Sequence, residues 1–451
     1  MNMTLLAGLA LLTLVAAGTH IAVALAATAM LTVYLTSGSV DVTLSLLSST
    51  FYESLRDYIF AVIPLFMLMG EFISRSGIAG DVFEGINQLL RRVRGRLALA
   101  TVLGNAVFAF VTGVSIAAAA AFSRISYPEM RRQGYARSFA LGSIAGSACL
   151  GMLIPPSVLM IIWGVLTDES IGRLFLAGVV PGLVLTVLFC GYVIAAAWLR
   201  PALVGGVAGD AKPAPVGGVA GDAKPAPAAP DLRRIVAGST YLVAIVAAVL
   251  GGIWGGWFTP TEAAAIGTLL SLAVACARGL TVRAFLDAVL TAGRVSAPLL
   301  VLLMAAQFYG RALAFTGIGS SIQSMFIDSG LAPGLVVVAM VGVWFVLGMF
   351  IDSASIMLLT VPIFAPIAKA LGIDPVAFAI MGILAIEAGL LTPPFGVLVF
   401  TVKASVDEAG VTLGEIFWGA VPYWICLLLV VVAVWVVPTL ATGLPRLLLE
   451  K

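Results

Sequence analysis

Charge is what this chain has least of. Only 10% of its 451 residues are Asp, Glu, Lys or Arg, while 61% are hydrophobic; a soluble domain carries roughly 25% charged and 45–50% apolar residues. So few charges cannot cover a water-facing surface, and most of the exterior must face lipid. Histidine is nearly missing as well: His20 is the single one, and the four cysteines, Cys149, Cys190, Cys276 and Cys426, stand singly within apolar stretches. That excludes a disulfide scaffold and a zinc-ligand set. It also leaves a membrane-embedded enzyme without a nucleophile–base pair or a metal set. No G-x-x-x-x-G-K-[ST] string occurs, which speaks against an ATP-driven pump. The net charge of +2 offers nothing to nucleic acid, and the basic residues fall in short clusters that read as topology signals.

What is present is a series of apolar windows near the roughly 20 residues that a spanning helix needs. They lie at Thr4–Ala17, Ile21–Leu35, Tyr58–Ile73, Leu97–Ser126, Phe139–Val165, Leu174–Trp198, Val236–Trp254, Ala263–Ala277, Ala297–Thr316, Leu335–Phe364, Val376–Val402 and Ile416–Val437. The chain start has no basic n-region, so Met1 to Leu35 reads as retained membrane helices rather than a signal peptide. Two windows are broken centrally, by Thr112-Gly113-Val114-Ser115 and by Gly348 through Ser355. Arg91, Arg92, Arg94 and Arg96 precede the first, and Arg131, Arg132 and Arg137 follow it. Lys/Arg clusters prefer the cytoplasm, so the first broken window enters and leaves by the inner face, and counting onward makes the second re-entrant from outside.

The pattern divides the chain into residues 1–200, a linker at 201–234, and residues 235–451, with the hairpins near 97–126 and 335–370. The linker holds a twelve-residue duplication, Val204–Pro215 repeated as Val216–Pro227; its Gly, Ala and Pro build no core, so a flexible cytoplasmic tether is expected. The flanking parts resemble one another. One constant offset carries Ser115 onto Ser353, and Gly151, Leu153, Pro155 and Pro156 onto Gly389, Leu391, Pro393 and Pro394. By the topology count the first part runs from outside to inside and the second the reverse. The expected fold is therefore an all-α polytopic membrane protein of two inverted repeats, each with about five spanning helices and one re-entrant hairpin.

Inverted repeats with interrupted helices point to a secondary transporter whose site lies near the bilayer midplane. A helix broken in the membrane frees carbonyl and N–H groups, which is tolerable only where they line a cavity or bind something. Four breaks qualify: the two hairpin tips, Gly146 through Ser157, and Gly389 through Gly396. Asp352 and Glu387 are the carboxylates deepest in apolar sequence, and each costs about 2.5–3.5 kcal/mol to insert. Asp352 with Ser353 and Ser355 suits Na⁺ or fixes a hairpin tip; Glu387 either ionises beside the second break or packs as a protonated donor. Arg311 either meets an anionic solute or snorkels to the interface. His20 reads as a turn residue.

Several strings together resemble the large membrane subunit of tripartite ATP-independent periplasmic (TRAP) transporters: Phe110-Val-Thr-Gly-Val-Ser-Ile-Ala117, Pro128-Glu-Met-Arg-Arg-Gln-Gly-Tyr135, Ile154-Pro-Pro-Ser157, Phe258-Thr-Pro-Thr-Glu-Ala-Ala264, Leu347-Gly-Met-Phe-Ile-Asp352 and Glu387-Ala-Gly-Leu-Leu-Thr-Pro-Pro394. The likeness runs over nearly the whole chain. It implies a Na⁺-driven elevator in the bacterial inner membrane, with no organic cofactor and no metal beyond Na⁺. It also implies import of a small organic anion, such as a dicarboxylate or sugar acid, delivered by a periplasmic solute-binding protein, and a small four-helix subunit as a separate partner chain. The family's cation sites fall here on Thr112, Gly113, Ser115, Ser147 and Pro155, and on Asp352, Ser353, Gly389 and Thr392; Ser157, Ser355 and Glu387 fall to the solute. Two positions depart from the pattern, Ala385 and Leu398, where many members carry Asn. A stand-alone cation-coupled carrier or antiporter of the same architecture is the alternative.

Overall fold

In the computed structural model, which describes residues 3–205, 232–328 and 330–449, the described chain is helical and contains no strand. The opening helices are α1 (Met3–Ala16), α2 (Ile21–Ser37), α3 (Val40–Arg56), α4 (Val62–Arg75) and α5 (Ile78–Leu89). The first hairpin is α6 (Arg96–Thr112) and α7 (Ser115–Ile125), followed by short α8 (Tyr127–Arg132). A helix in three pieces comes next, α9 (Arg137–Ala148), α10 (Leu150–Leu153) and α11 (Val158–Thr167), and then the unbroken α12 (Ile171–Leu199). Beyond the linker lie α13 (Leu232–Trp254), α14 (Pro260–Ala277), α15 (Val282–Thr316) and α16 (Ile318–Asp328). The second hairpin is α17 (Pro333–Gly348) and α18 (Ser353–Ala370); the next broken helix is α19 (Pro375–Gly389) and α20 (Val397–Ser405), before α21 (Leu413–Val436) and α22 (Thr439–Leu449). The duplicated tract beyond Gly205 lies outside the described residues.

Local chemistry sets the ends. Thr259 and Thr412 each open a helix with a capping box, closed by Glu262 and Glu415, which satisfies N–H groups that have no partner within the helix. Proline stands in the first turn of α14, α17 and α19, where its missing N–H costs nothing. His20 caps α2, its Nδ1 accepting from Ala22 N at 3.3 Å, as a turn residue does.

Two packed groups emerge. α2, α4, α13, α14 and α15 pack on one another as a frame, and α6, α9, α11, α12, α17, α18, α19 and α21 form a body, with α15–α18 and α4–α6 among the contacts between them. Eight helices among the described residues are long and apolar enough to cross a membrane. Large side chains on the frame and on α12 stay uncovered, including Val187 at 69% and Leu269 at 66% exposed, as lipid-facing residues do. α15 has 35 residues and starts at Val282, well before the Ala297 that its apolar window gives. The amphipathic α3 and α5 fall below the threshold of any apolar window, because Asp41 and Glu53, and Asp81 and Glu84, dilute them.

Both broken windows are antiparallel hairpins. At the open end of the first, Arg96 Nη2 donates to Gln133 Oε1 at 3.1 Å and Leu97 N to the Tyr135 hydroxyl at 3.3 Å, so the chain returns to where it set out. In the second, Trp344 Nε1 donates to Thr360 Oγ1 at 2.7 Å, tying α17 to α18.

A charge cluster joins the two halves at the base of α9. Glu408, in the turn between α20 and α21, accepts from the Tyr127 hydroxyl at 2.6 Å, Arg131 Nε at 3.1 Å and Arg137 Nε at 2.9 Å. Burial alone pushes the Glu408 carboxyl up, yet Tyr127, Arg131 and Arg137 outweigh it and hold it below the ordinary 4.5. A depressed carboxylate stabilises the fold fully above its unfolded value, and the contribution disappears as pH falls through the folded one. Glu408→Gln is expected to destabilise the protein by roughly 1–2 kcal/mol near neutral pH. The gap in melting temperature should close on acidification below the usual glutamate range; a gap constant with pH would refute this role.

Candidate functional site

The first site is built around the tip of the α6–α7 hairpin. Gly113 ends α6 at φ +60°, and Ser115 is the first residue of α7. A β-carbon on Gly113 would lie 2.5 Å from Pro156 O, and the Gly113 carbonyl accepts from Val158 N at 3.2 Å. Gly151 meets the Val114–Ser115 backbone in the same way, since a β-carbon there would lie 3.1 Å from Val114 C. The tip is thus seated, backbone on backbone, against the Ile154–Ser157 break, whose Pro155–Pro156 peptide is cis. Frame helix α4 reaches this tip too, with Gly70 against the backbone of Val111 and Thr112.

Thr112, Gly113, Ser115 and Pro155 are therefore brought together and buried. The Thr112 hydroxyl donates to Phe108 O at 3.1 Å, and that of Ser115 has no partner. Ser147 sits lower, in the last turn of α9, donating to Ser143 O at 2.5 Å and accepting from Asn105 Nδ2 at 2.6 Å. Asn105, wholly buried on α6 with an unpartnered Oδ1, was not legible as a site residue; the one available signal was an amide alone in an apolar run. Ser157 caps α11, accepting from Met160 N and donating to Met152 O at 2.5 Å, so its hydroxyl is already engaged by its own chain.

The second site repeats these relations. Asp352 caps α18 through Ser355 N at 3.0 Å, and Ser353 and Ser355 are nearly buried beside it. Gly348 and Gly389 face one another so closely that a β-carbon on either would lie 2.7 Å from the other's Cα. The freed Met349 carbonyl accepts from Phe395 N at 3.2 Å and Gly396 N at 3.3 Å. Pro393–Pro394 is cis, and the Thr392 hydroxyl donates to Gly389 O at 2.7 Å. Unwound carbonyls, hydroxyls and a carboxylate are the donor set that suits Na⁺, and both clusters offer carbonyls and hydroxyls, with Asp352 adding the carboxylate in the second.

The clusters touch. α20 packs on α7, and the Cys149 thiol donates to the Glu387 main-chain oxygen at 3.7 Å. The Glu387 carboxyl is 1% exposed and faces Ser115 and Cys149 of the other half. Between body and frame lies a cavity of about 570 Å³ whose walls include Trp163, Gln307, Arg311, Pro362 and Lys369. Arg311 there holds Glu53 at 2.5 Å.

Residues 8–440 match the family described as "DctM: Tripartite ATP-independent periplasmic transporter, DctM component". The chain belongs to that family. The permease is 32% identical to the C4-dicarboxylate TRAP transporter large permease protein DctM of Pseudomonas aeruginosa, over 88% of each chain. It is 29% identical to the ectoine/5-hydroxyectoine TRAP transporter large permease protein UehC of Ruegeria pomeroyi, over 86% of each. Its fold is similar to that of the Alcanivorax borkumensis YdaH transporter, with a TM-score of 0.61, 14% identity and 91% of each chain covered. The permease is thus a multi-pass membrane component of a three-part transporter and no enzyme, and its relatives' names attach them to different solutes.

Proposed function

We propose that the permease imports a small organic anion by Na⁺-coupled elevator movement, in which the body carries the solute past the frame. The observation that carries this reading is the meeting of two hairpin tips with two Pro-Pro breaks in one body, each leaving buried carbonyls and hydroxyls clustered. Within a bilayer such groups are tolerated where they are buried in protein or line a cavity, and here they gather into two oxygen-rich sets. The two halves present the same order of hairpin, broken helix and long helix, which fits inverted repeats spanning 1–200 and 235–451. Glycine contacts at the seam, Gly70 on Thr112 and Gly310 near Pro362, let the two groups approach closely there. The cavity between Trp163, Arg311 and Lys369 has the size of a small-molecule chamber.

A periplasmic solute-binding protein delivers the anion, and a small four-helix subunit braces the frame within the bacterial inner membrane. The dicarboxylate and ectoine named for the relatives are the first solutes to try. Uptake into vesicles holding the whole three-part system should require both an imposed Na⁺ gradient and the binding protein. Uptake that continues without either removes the tripartite reading. Asp352→Asn combined with Ser353→Ala is expected to raise the half-saturating Na⁺ concentration about tenfold, a loss of roughly 1.4 kcal/mol at the site. An unchanged Na⁺ dependence would take the second cluster out of cation binding.

A further inference from the structure

Two polar side chains of α15, Gln307 and Arg311, line the cavity between frame and body. They stand about one helical turn apart and so share a face. Both are held from behind by α3, none of whose residues lines the cavity. Ser54 donates to Gln307 Oε1 at 2.6 Å, and Glu53 accepts from Arg311 Nη2 at 2.5 Å, while Thr50 lies 3.5 Å from Nη1.

The Arg311–Glu53 pair is of a kind that exchanges. One guanidinium nitrogen meets one carboxylate oxygen, where a fork-to-fork pair would use two. The side chains are 43% and 58% exposed, and pairs so exposed contribute little. A guanidinium has five N–H donors, and α3 engages only two of them. Arg311 therefore keeps donors for a second acceptor.

Across the cavity the body presents Lys369 of α18, exposed and without an ion pair among the described residues. Asp168 and Glu169, in the turn after α11, line the cavity too. The lining charges thus cancel in sum, and placement decides. The acids pair with neither cation among the described residues, so a carboxylate between α15 and α18 meets donors on both sides. No residue of either hairpin tip lines this space. On α18 the lining begins at Val361, two turns beyond Ser353 and about 12 Å along the helix. It ends at Lys369, by the open mouth of the second hairpin, which the topology count puts outside.

We propose that Arg311 and Lys369 form an entry site for the carboxylate of the solute, and that Glu53 occupies Arg311 until the solute arrives. The solute's carboxylate takes the place of Glu53 on the guanidinium and gains Lys369, and Glu53 turns back to water; no covalent bond changes and no proton moves. The import reading above supplies the class of solute, and the entry site rests on it for that alone. Na⁺ is not needed at this stage, because neither tip takes part. Glu53 also makes the site selective: a neutral molecule that displaced it would leave Arg311 without a counter-charge.

The test is equilibrium binding of radiolabelled succinate to the permease with its small subunit in lipid nanodiscs, without Na⁺ and without the binding protein. Wild type should bind succinate, and neutral succinamide should not compete. Arg311→Gln should weaken binding about tenfold, as loss of a hydrogen bond to a charged group does. Glu53→Gln should tighten it about threefold by releasing Arg311 from an exposed pair. Arg311→Lys keeps the charge but not the fork; its affinity should fall between wild type and Arg311→Gln, and it serves if Arg311→Gln fails to fold. The opposite signs are decisive, since a pair that only braced α3 on α15 would move binding the same way, or not at all, from either end. Equal effects of the two variants overturn the proposal. So does an absence of succinate binding in both wild type and Glu53→Gln. Binding that appears only with Na⁺ and ignores Arg311 overturns it as well, by placing the carboxylate at the hairpin tips. With no Na⁺ and no gradient present, these results stand apart from the uptake experiment: uptake that needs no Na⁺ would end the coupling and leave the entry site standing.

Discussion

Replacing Gly113 by alanine is expected to lower initial uptake about 100-fold, the scale of a roughly 1 Å misplacement of binding groups, while the protein still inserts. Two effects add at this residue. Its φ of +60° lies where a β-carbon is disfavoured by roughly 1–2 kcal/mol. The added carbon would also stand 2.5 Å from Pro156 O and 3.3 Å from Pro156 C, backbone atoms that no side-chain rotation can remove. The tip must lift, and the Gly113 carbonyl then loses Val158 N, which separates the groups of the first cluster. Gly191→Ala, with nothing within 4 Å of its added carbon, is the control and should transport normally. Uptake per inserted molecule decides the matter; a Gly113→Ala rate within twofold of the control would show that seating of the tip plays no part.

Gly419→Ala should have the largest effect on stability, near the upper end of the roughly 1–3 kcal/mol typical of overpacking, and Gly419→Leu should leave little folded protein. The contact is between backbones: a β-carbon on Gly419 would overlap Ser138 O and lie 3.0 Å from Gly142 Cα, and one on Gly142 would overlap Gly419 O. Ser138, Gly142 and Gly146 recur every fourth residue along α9, the small-residue stripe that lets membrane helices approach closely. Gly146 in turn receives the Tyr423 ring, whose hydroxyl donates to Ser143 at 3.0 Å. Forcing α9 and α21 apart therefore breaks a hydrogen bond and opens voids along the seam. Thermal unfolding in detergent reads the loss, and a melting temperature equal to wild type would contradict the packing argument.

The breaks were legible in sequence for a local reason. Two successive prolines and a helix-ending glycine remove backbone hydrogen bonds wherever they stand, so Pro155-Pro156, Pro393-Pro394 and Gly113 marked the tips and breaks before any packing was known. Family membership followed from strings of the same kind. Contacts made across the fold left no such mark. Glu408 meets Tyr127, Arg131 and Arg137 from hundreds of residues away, and in sequence it is an ordinary loop charge. Cys149 reads as a lone apolar residue until it is found against Glu387. Ser157 illustrates the converse: its hydroxyl suits a ligand by type, but the start of α11 engages it first. The beginning of α15 was hidden because Arg283, Asp287 and Arg294 interrupt the hydropathy of a helix that continues regardless.

That helix has a mechanical consequence. At 35 residues and about 1.5 Å per residue it is roughly 52 Å long, against a hydrocarbon core of about 30 Å. Even a steep tilt leaves turns protruding, and the charged first stretch holding Arg283, Asp287 and Arg294 is the part suited to emerge among headgroups. A strut longer than the film it crosses senses the thickness of that film. Membranes of thinner or thicker acyl chains should therefore change its slant, and with it the angle at which α18 packs along it.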